Sequence, residues 1–339
     1  MKKVQGLTFD IKLLKSCLAL VLLMVGFALV LSPLQSYGQE AFPNRAVKLV
    51  VPSPPGSIHD TFARFLAEFL RTELNQSIVI ENKAGATGMI ASMYVANAPA
   101  DGYTVLVTSL SNHVLAPIIQ KGQNFDSQKQ LKPIGVALTT IGLMLVSKAT
   151  EANDLKAFVE LAKRTPGKLN YGSAGLGSTI NLQTEMFKEL AGIDMTHVAY
   201  KGSIPALNGL MGNEVQFMSI DLATGKVAIA SGNARPIAQS GPRRHSSLPL
   251  VPTLSESGYG SFTPSFWLGL AAPKGTPDAV VKRLNLALNN ALNKSIFKDR
   301  AESEGWVLLG GGGPEVLEEM VSKDIKHYSA VVKKLNLNQ

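Results

Sequence analysis

Apolar residues recur along this chain in two alternating registers. Short β-branched or leucine-rich runs are each followed by a polar or glycine-rich turn, then by apolar residues at helical spacing. The stretch VPSPPGSIHDTFARFLAEFL, residues 51–70, shows the switch. A run ending at Val51 meets three prolines and a glycine, and beyond Ser57 the apolar positions fall at Phe62, Phe65, Leu66, Phe69 and Leu70. The same reading predicts strands at Ala46–Val51, Ser77–Glu81, Thr104–Thr108, Gly142–Val146, Leu169–Gly172, Thr196–Ala199, Val215–Ile220, Pro236–Gln239 and Leu268–Ala271. Helical spacing covers 58–74, 88–97, 154–164, 179–191, 204–211, 277–293 and 314–335. Such alternation predicts an α/β fold with mostly parallel sheets. Helix starts are punctuated: Ser57-Ile58-His59-Asp60 fits a reciprocal capping box. Thr276-Pro277-Asp278 offers a capping hydroxyl before a first-turn proline, and Gly313-Pro314-Glu315 repeats the proline placement.

Residues 1–38 break the pattern. Lys2, Lys3, Lys12 and Lys15 precede an uncharged run from Cys17 to Leu31, followed by Ser32, Pro33 and small or polar residues. This is the layout of a secretory signal, with Ser36 and Gly38 as the small residues before a cut expected after Gly38. An uncleaved membrane anchor is the rival, but the apolar run is shorter than a usual span. Removal takes away +3 of the formal +8, leaving a mild +5. Lysines and arginines are scattered without interleaved aromatics, which argues against a nucleic-acid partner. The sole cysteine, Cys17, lies in the signal, so the mature chain is expected to hold no disulfide, thiol nucleophile or thiolate metal site. The remaining length suffices for two sizeable lobes or one large domain.

In open parallel sheets, ligands sit beyond the carboxyl ends of strands, where helices begin. The turns at those ends are Pro54–Asp60, Thr108–His113, Tyr171–Thr179, Tyr200–Pro205 and Asp221–Gly225, all poor in acids and rich in Gly, Ser, Thr and Asn. Helix-start amides hold a carboxylate without a cation, each end contributing about 0.3–1 kcal/mol. Any single turn of this kind is more often only a turn; the set carries the argument. Asp221 ends an apolar strand and suits either a ligand's donor group or a cap for the next helix. Enzyme motifs are missing: GSAGLG is neither a nucleophile elbow nor a dinucleotide or phosphate loop. The histidines at 59, 113, 197, 245 and 327 are isolated from one another and from acids at ligand spacing, so no metal or cofactor is expected. His197 reads as a structural strand residue and His245 as part of a solvated loop. His59 and His113 lie at the strand-end edge. Trp267 reads as a packing aromatic between lobes.

At these turns the chain resembles the extracytoplasmic solute receptors of tripartite tricarboxylate transporters, the Bug receptors. The blocks FPNRAVKLVVPSPPG, IVIENKAGATGMIA, ADGYTVLV, PGKLNYGSAGLGST, HVAYKGSIPAL and LGLAAPKGTP carry the resemblance in order across essentially the whole mature chain. It implies a two-lobed type II periplasmic binding protein with a ligand cleft between lobes and two crossover strands, near Ile141–Val146 and Leu268–Ala271. Lobe one is then 39–138 plus 266–339, and lobe two 139–265. By motif, the ligand-binding residues are Pro55, Gly56, Ser57, Ile58, His59, Asp60, Ser109, Asn112, Ser173, Gly175, Gly177, Ser178, Thr179, Tyr200, Gly202, Ser203 and Asp221. The first turn departs from the family's Pro-Pro-Gly-Gly and small residues: Ser57, Ile58 and His59 add bulk, and His59 is expected to face the cleft and shape selectivity.

The resemblance implies a periplasmic receptor, not an enzyme, that clasps a small organic acid by hinge closure. Its partners are then the permease subunits of a tripartite transporter, or a sensor kinase. A hydrolase using Ser173 or Ser178 and a membrane-anchored interaction protein stand as rivals, separated by turnover of a candidate ligand and by N-terminal sequencing of the exported chain.

Overall fold

A computed structural model describes residues 42–120, 124–260, 262, 266–335 and 337. The expected signal at 1–38, its cut after Gly38, and Cys17 lie outside the described residues. Along the chain, β1 (Val47–Val51) passes through α1 (Ile58–Leu74) to β2 (Ile78–Asn82), and α2 (Met89–Ala96) leads to β3 (Thr104–Ser109). A π-helical turn at Leu110–Leu115 and the short helices α3 (Ala116–Ile119) and α4 (Ser127–Gln130) precede β4 (Leu131–Thr140) and β5 (Gly142–Ser147). Then follow α5 (Leu155–Arg164), β6 (Asn170–Ser173), α6 (Thr179–Ala191), β7 (Thr196–Ala199), α7 (Ser203–Met211), β8 (Phe217–Asp221), α8 (Leu222–Ala230) and β9 (Ala234–Gln239). The chain ends with β10 (Phe266–Pro273), α9 (Asp278–Asn293), α10 (Ser295–Glu304), β11 (Trp306–Leu308) and α11 (Pro314–Lys334).

These elements form two sheets, hence two lobes: β11-β4-β10-β3-β1-β2 and β7-β6-β8-β5-β9. The chain leaves the first sheet at Ile141, between β4 and β5, and returns between β9 and β10. Ile141 is bonded in both directions: its amide donates to the Gly305 carbonyl at 3.0 Å, and its carbonyl accepts the Leu222 amide at 2.9 Å. The sheets are mixed rather than mostly parallel. Parallel pairing joins β1 to β2 and β3, and β6 to β7 and β8. The segments that carry the chain between sheets, β4, β5 and β10, run against their neighbours. β4 is absent from the predicted strands because it is buried almost throughout, so no alternation shows, and it contains Pro133 and Gly135. Its pairing with β10 shifts register twice, and there Gly269 approaches so closely that a Cβ would fall 2.6 Å from the Gly135 carbonyl oxygen.

Local chemistry accounts for most helix ends. The Ser57 hydroxyl accepts the Asp60 amide at 3.4 Å and opens α1, which buries Phe62, Leu66 and Leu70 and stops at Asn75 in the left-handed region. The expected reciprocal box is only half made. The Asp60 carboxylate accepts the Gly56 amide instead, because the Ser57 amide turns back to the Pro54 carbonyl. α9 starts one residue later than its capping threonine requires, with Pro277 as cap, and the Thr276 hydroxyl is left unpartnered. α11 begins with proline in its first turn, as expected. Among the described residues no helix is long and apolar enough to cross a membrane.

The second lobe is held by an aromatic stack. Phe217 of β8 lies 4.9 Å from Phe158 and 6.0 Å from Phe187, at interplanar angles of 19° and 13°. All three are fully buried, so truncation leaves a cavity that rigid neighbours cannot fill. Phe217→Ala is expected to lower stability by about 3–5 kcal/mol in urea unfolding; a loss below about 1 kcal/mol would show that this stack does not hold the lobe.

Candidate ligand-binding cleft

Between the two sheets lies a cavity of about 260 Å³. The first lobe supplies Pro52, Ser53, Pro54, Ile58, His59, the Ala84–Gly88 turn, Ser109, Ser111, Asn112 and Gln120. The second supplies the Ala174–Leu176 turn, Ser178, Thr179, Ile180, Tyr200, Lys201, Gly202, Ser203 and Asp221. Phe266, Trp267 and Leu268 of β10 complete it. Each of the five turns singled out in the sequence contributes to this wall. Of the individual residues, Ile58, His59, Ser109, Asn112, Gly175, Ser178, Thr179, Tyr200, Gly202, Ser203 and Asp221 line it.

Pro55, Gly56, Ser57, Asp60, Ser173 and Gly177 are not on the lining. Pro55 and Gly56 are exposed, and Ser57 is the buried cap of α1. Asp60 faces Arg64, Asn82 and the Gly56 amide at 2.9–3.0 Å. Burial alone would raise its carboxyl, but these partners together hold it below the usual carboxylate range. Gly177 packs on α3, with its amide donating to Asn181 at 3.1 Å. Ser173 is fully buried, its hydroxyl 2.6 Å from His197 Nε2 while accepting the Gly175 amide at 3.1 Å. His197 stacks on Tyr171, whose hydroxyl donates to Glu185. This serine–histidine pair therefore braces the 173–178 turn; it is not presented to a substrate.

Several hydroxyls on the lining are likewise engaged. Asn112 Oδ1 accepts both the Ser109 amide, at 2.8 Å, and the Ser109 hydroxyl, at 2.7 Å. The Ser178 hydroxyl caps α6 through the Asn181 amide. Other groups join the lobes directly. Ser111 Oγ accepts the Thr179 amide at 2.9 Å and lies 2.7 Å from the Thr179 hydroxyl. The Leu176 carbonyl accepts Thr87 Oγ1 at 2.9 Å and Gln120 Nε2 at 3.0 Å. Thr87 is a β-branched residue at φ 54°, a conformation that costs on the order of 1–3 kcal/mol and persists where surrounding contacts hold it. Gly202, at φ 131°, lies so near Pro54 of the other lobe that a Cβ would come within 2.9 Å of the proline ring. Ala86, Thr87 and Gln120 escaped the sequence reading. The turn's AGATG stood inside a block of the family resemblance, whereas Gln120 carried no local signal.

The cleft's charges are few. Asp221 caps α8, its Oδ1 accepting the Thr224 amide at 2.8 Å, and burial pushes its pKa up to about 6. Lys201 is exposed. Burial lowers His59 to about 4, so it is neutral at pH 7, and its Nε2 has no partner among the described residues. His113 is also held at about 4 by burial, but it bonds Thr108 at 2.8 Å and does not reach the lining. His245 spans Ser247 and the Glu302 carbonyl. Trp267 is buried, donates to Asp324 at 2.8 Å and still borders the cavity. Among the described residues no cluster of three His, Cys, Asp or Glu is placed to hold a metal.

Residues 62–337 match the family model described as "Tripartite tricarboxylate transporter family receptor". A protein from the tcbD-tcbE intergenic region of Pseudomonas sp. (strain P51) is 31% identical over 319 residues, 94% of either chain. Among solved structures, R. palustris Rpa4515 with adipate is 32% identical with a TM-score of 0.83, covering 87% of this chain and 98% of that one. MatC from Rhodopseudomonas palustris with bound malate is 31% identical with a TM-score of 0.81, covering 86% and 100%.

The two buried histidines give a signed pH dependence. Between an ordinary value of 6.5 and about 4 the unfolded chain binds protons that folded His59 and His113 refuse. Their contribution is thus present above pH 6.5 and lost as pH falls toward 4. His113→Gln is expected to flatten stability against pH in that window by about one proton, about 1.4 kcal/mol per pH unit, in urea unfolding at pH 7, 6 and 5. An unchanged slope would mean that His113 is not the neutral group described.

Proposed function

This chain belongs to the receptors of the tripartite tricarboxylate transporter family, the Bug receptors, and we propose that it captures a small carboxylate by closing two lobes around it and delivers it to the permease subunits of a tripartite transporter. It is a periplasmic solute-binding receptor, not an enzyme. The observation that carries the ligand class is convergence: α1, α6 and α7 all begin on one cavity, while the start of α8 there is already capped by Asp221. The first amides of each helix lack intrahelical partners and lie at the positive end of the dipole, which suits an anion. The adipate and malate bound in the similar structures are of this class. We assign the signal to 1–38, one lobe to 39–138 plus 266–339 and the other to 139–265. Binding falls to the cavity-facing members of the predicted set, with Pro55, Gly56, Ser57, Asp60, Ser173 and Gly177 shaping turns behind them.

Closure follows from differential contact. A ligand shifts the balance between open and closed forms only as far as it binds the closed one better. Direct bonds across the seam, at Ser111, Thr87 and Gln120, favour the closed form with or without ligand and so lower the shift the ligand must supply.

Native mass spectrometry of protein purified without refolding is expected to reveal a small acid. In thermal-shift screening, carboxylates are expected to raise Tm where their neutral amides do not, by about 2.7 kcal/mol of stability at a hundredfold excess over Kd. Equal effects of acids and amides would end the carboxylate reading. Gly202→Ala, which places a methyl group against Pro54, is expected to weaken binding at least about tenfold. It is also expected to enlarge the radius of gyration of the ligand-saturated protein in small-angle scattering. Tight binding with full compaction would show that closure does not use this contact.

A further inference from the structure

Among the described residues Asp221 is the single acid on the cavity lining, and it is 3% exposed. One of its oxygens is committed to the Thr224 amide. The carboxyl has no ion pair among the described residues; besides the Thr224 amide, the Thr224 side chain and its own backbone amide favour the charged form. Asp221 borders the cavity, and a carboxylate offers about four acceptor positions, more than these neighbours fill. No cation relieves it. Lys226, from the same helix, is taken by Glu304, which also binds Arg300. Lys201, the other charged residue of the lining, is exposed. Burial, with the charge of Glu304 adding to it, holds the pKa up to about 6, so the group is mostly ionised at pH 7 and acts as an acceptor.

A buried carboxylate without a cation is costly until a further donor meets it. The starts of α1, α6 and α7 attract an anion, whereas Asp221 at the start of α8 repels one, so different parts of the cavity wall ask for different chemistry. Resting on the receptor reading above, we propose that Asp221 is the specificity-determining residue of the cleft. Its carboxylate accepts from an N–H or O–H group of the ligand, so the cleft selects a small carboxylate bearing an ammonium or hydroxyl donor over an unsubstituted mono- or dicarboxylate. An analogue without the donor leaves the buried acceptor unpaired, the situation that gives the strongest discrimination in binding sites. A second carboxylate in its place meets like charge.

The test is isothermal titration at pH 7.5 with matched pairs: malate against succinate for the hydroxyl, aspartate against succinate and 4-aminobutyrate against butyrate for the ammonium. Each variant is measured beside the parent protein. Asp221→Asn retains an equally good helix cap while turning a charged acceptor into an amide. In the parent, the donor-bearing member of at least one pair is expected to bind about 10- to 100-fold tighter, and in Asp221→Asn that ratio is expected to shrink by at least about tenfold. If Asp221→Asn fails to fold, Asp221→Ser keeps a capping hydroxyl, removes the carboxylate and carries the same expectation. Parent protein that prefers succinate or butyrate, or a ratio unchanged by the substitution, overturns the assignment of Asp221 alone. Failure of every acid to bind, where the mass spectrum shows a bound molecule without a carboxylate, overturns the receptor's carboxylate reading and this inference together.

Discussion

The seam between the lobes governs this structure. At the Leu176 carbonyl, one acceptor of the second lobe receives two donors of the first, Thr87 and Gln120. Close by, Ser111 and Thr179 bond through amide and hydroxyl. Polar atoms brought together away from water must find partners, and here they find them across the cleft. The geometry that allows this leaves marks on both sides. Thr87 occupies a backbone region that β-branched residues avoid, and Gly202 meets Pro54 at a distance that admits no side chain. Strain and a bare backbone thus meet at the same contact surface between the lobes.

This constraint explains why the cleft has little charge to offer. Hydroxyls that invite a ligand on paper are occupied: Ser109 with Asn112, Ser178 with the start of α6, Thr179 with Ser111. What the cavity wall offers besides is the starts of α1, α6 and α7, an apolar band from β10 and, among the described residues, one buried acid. Backbone amides and dipoles are fixed in place by the fold and need no flexible cation to close on an anion, so little ordering entropy is lost on binding. The histidine–serine pair at His197 and Ser173 belongs to the support, holding the turn whose neighbours touch the cavity.

Legibility followed locality. Helices such as α1 and α6 declared themselves through caps and spacing, and their observed limits equal the predicted ones. Asp60 was chemically conspicuous yet belongs behind the wall, because a short side chain beside Arg64 and Asn82 is satisfied locally before it can reach a cleft. β4 stayed hidden because a strand buried on both faces has no alternating pattern to show. Gln120 stayed hidden because its partner is 56 residues away. The family resemblance reached the fold and the gathering of turns, for these are carried by Gly, Pro and Ser at fixed local offsets.

By itself, the order of residues determined an alternation of strands and helices, the places where helices begin, and the absence of recognised catalytic loops. Those are properties of neighbouring residues and their backbone preferences. The tertiary structure alone decided which hydroxyls are spent on the protein and which strands run antiparallel. It also decided that Asp221, buried and without an ion pair among the described residues, borders the cavity. Burial, pairing and charge balance are set by atoms far apart in the chain, and no local pattern encodes them.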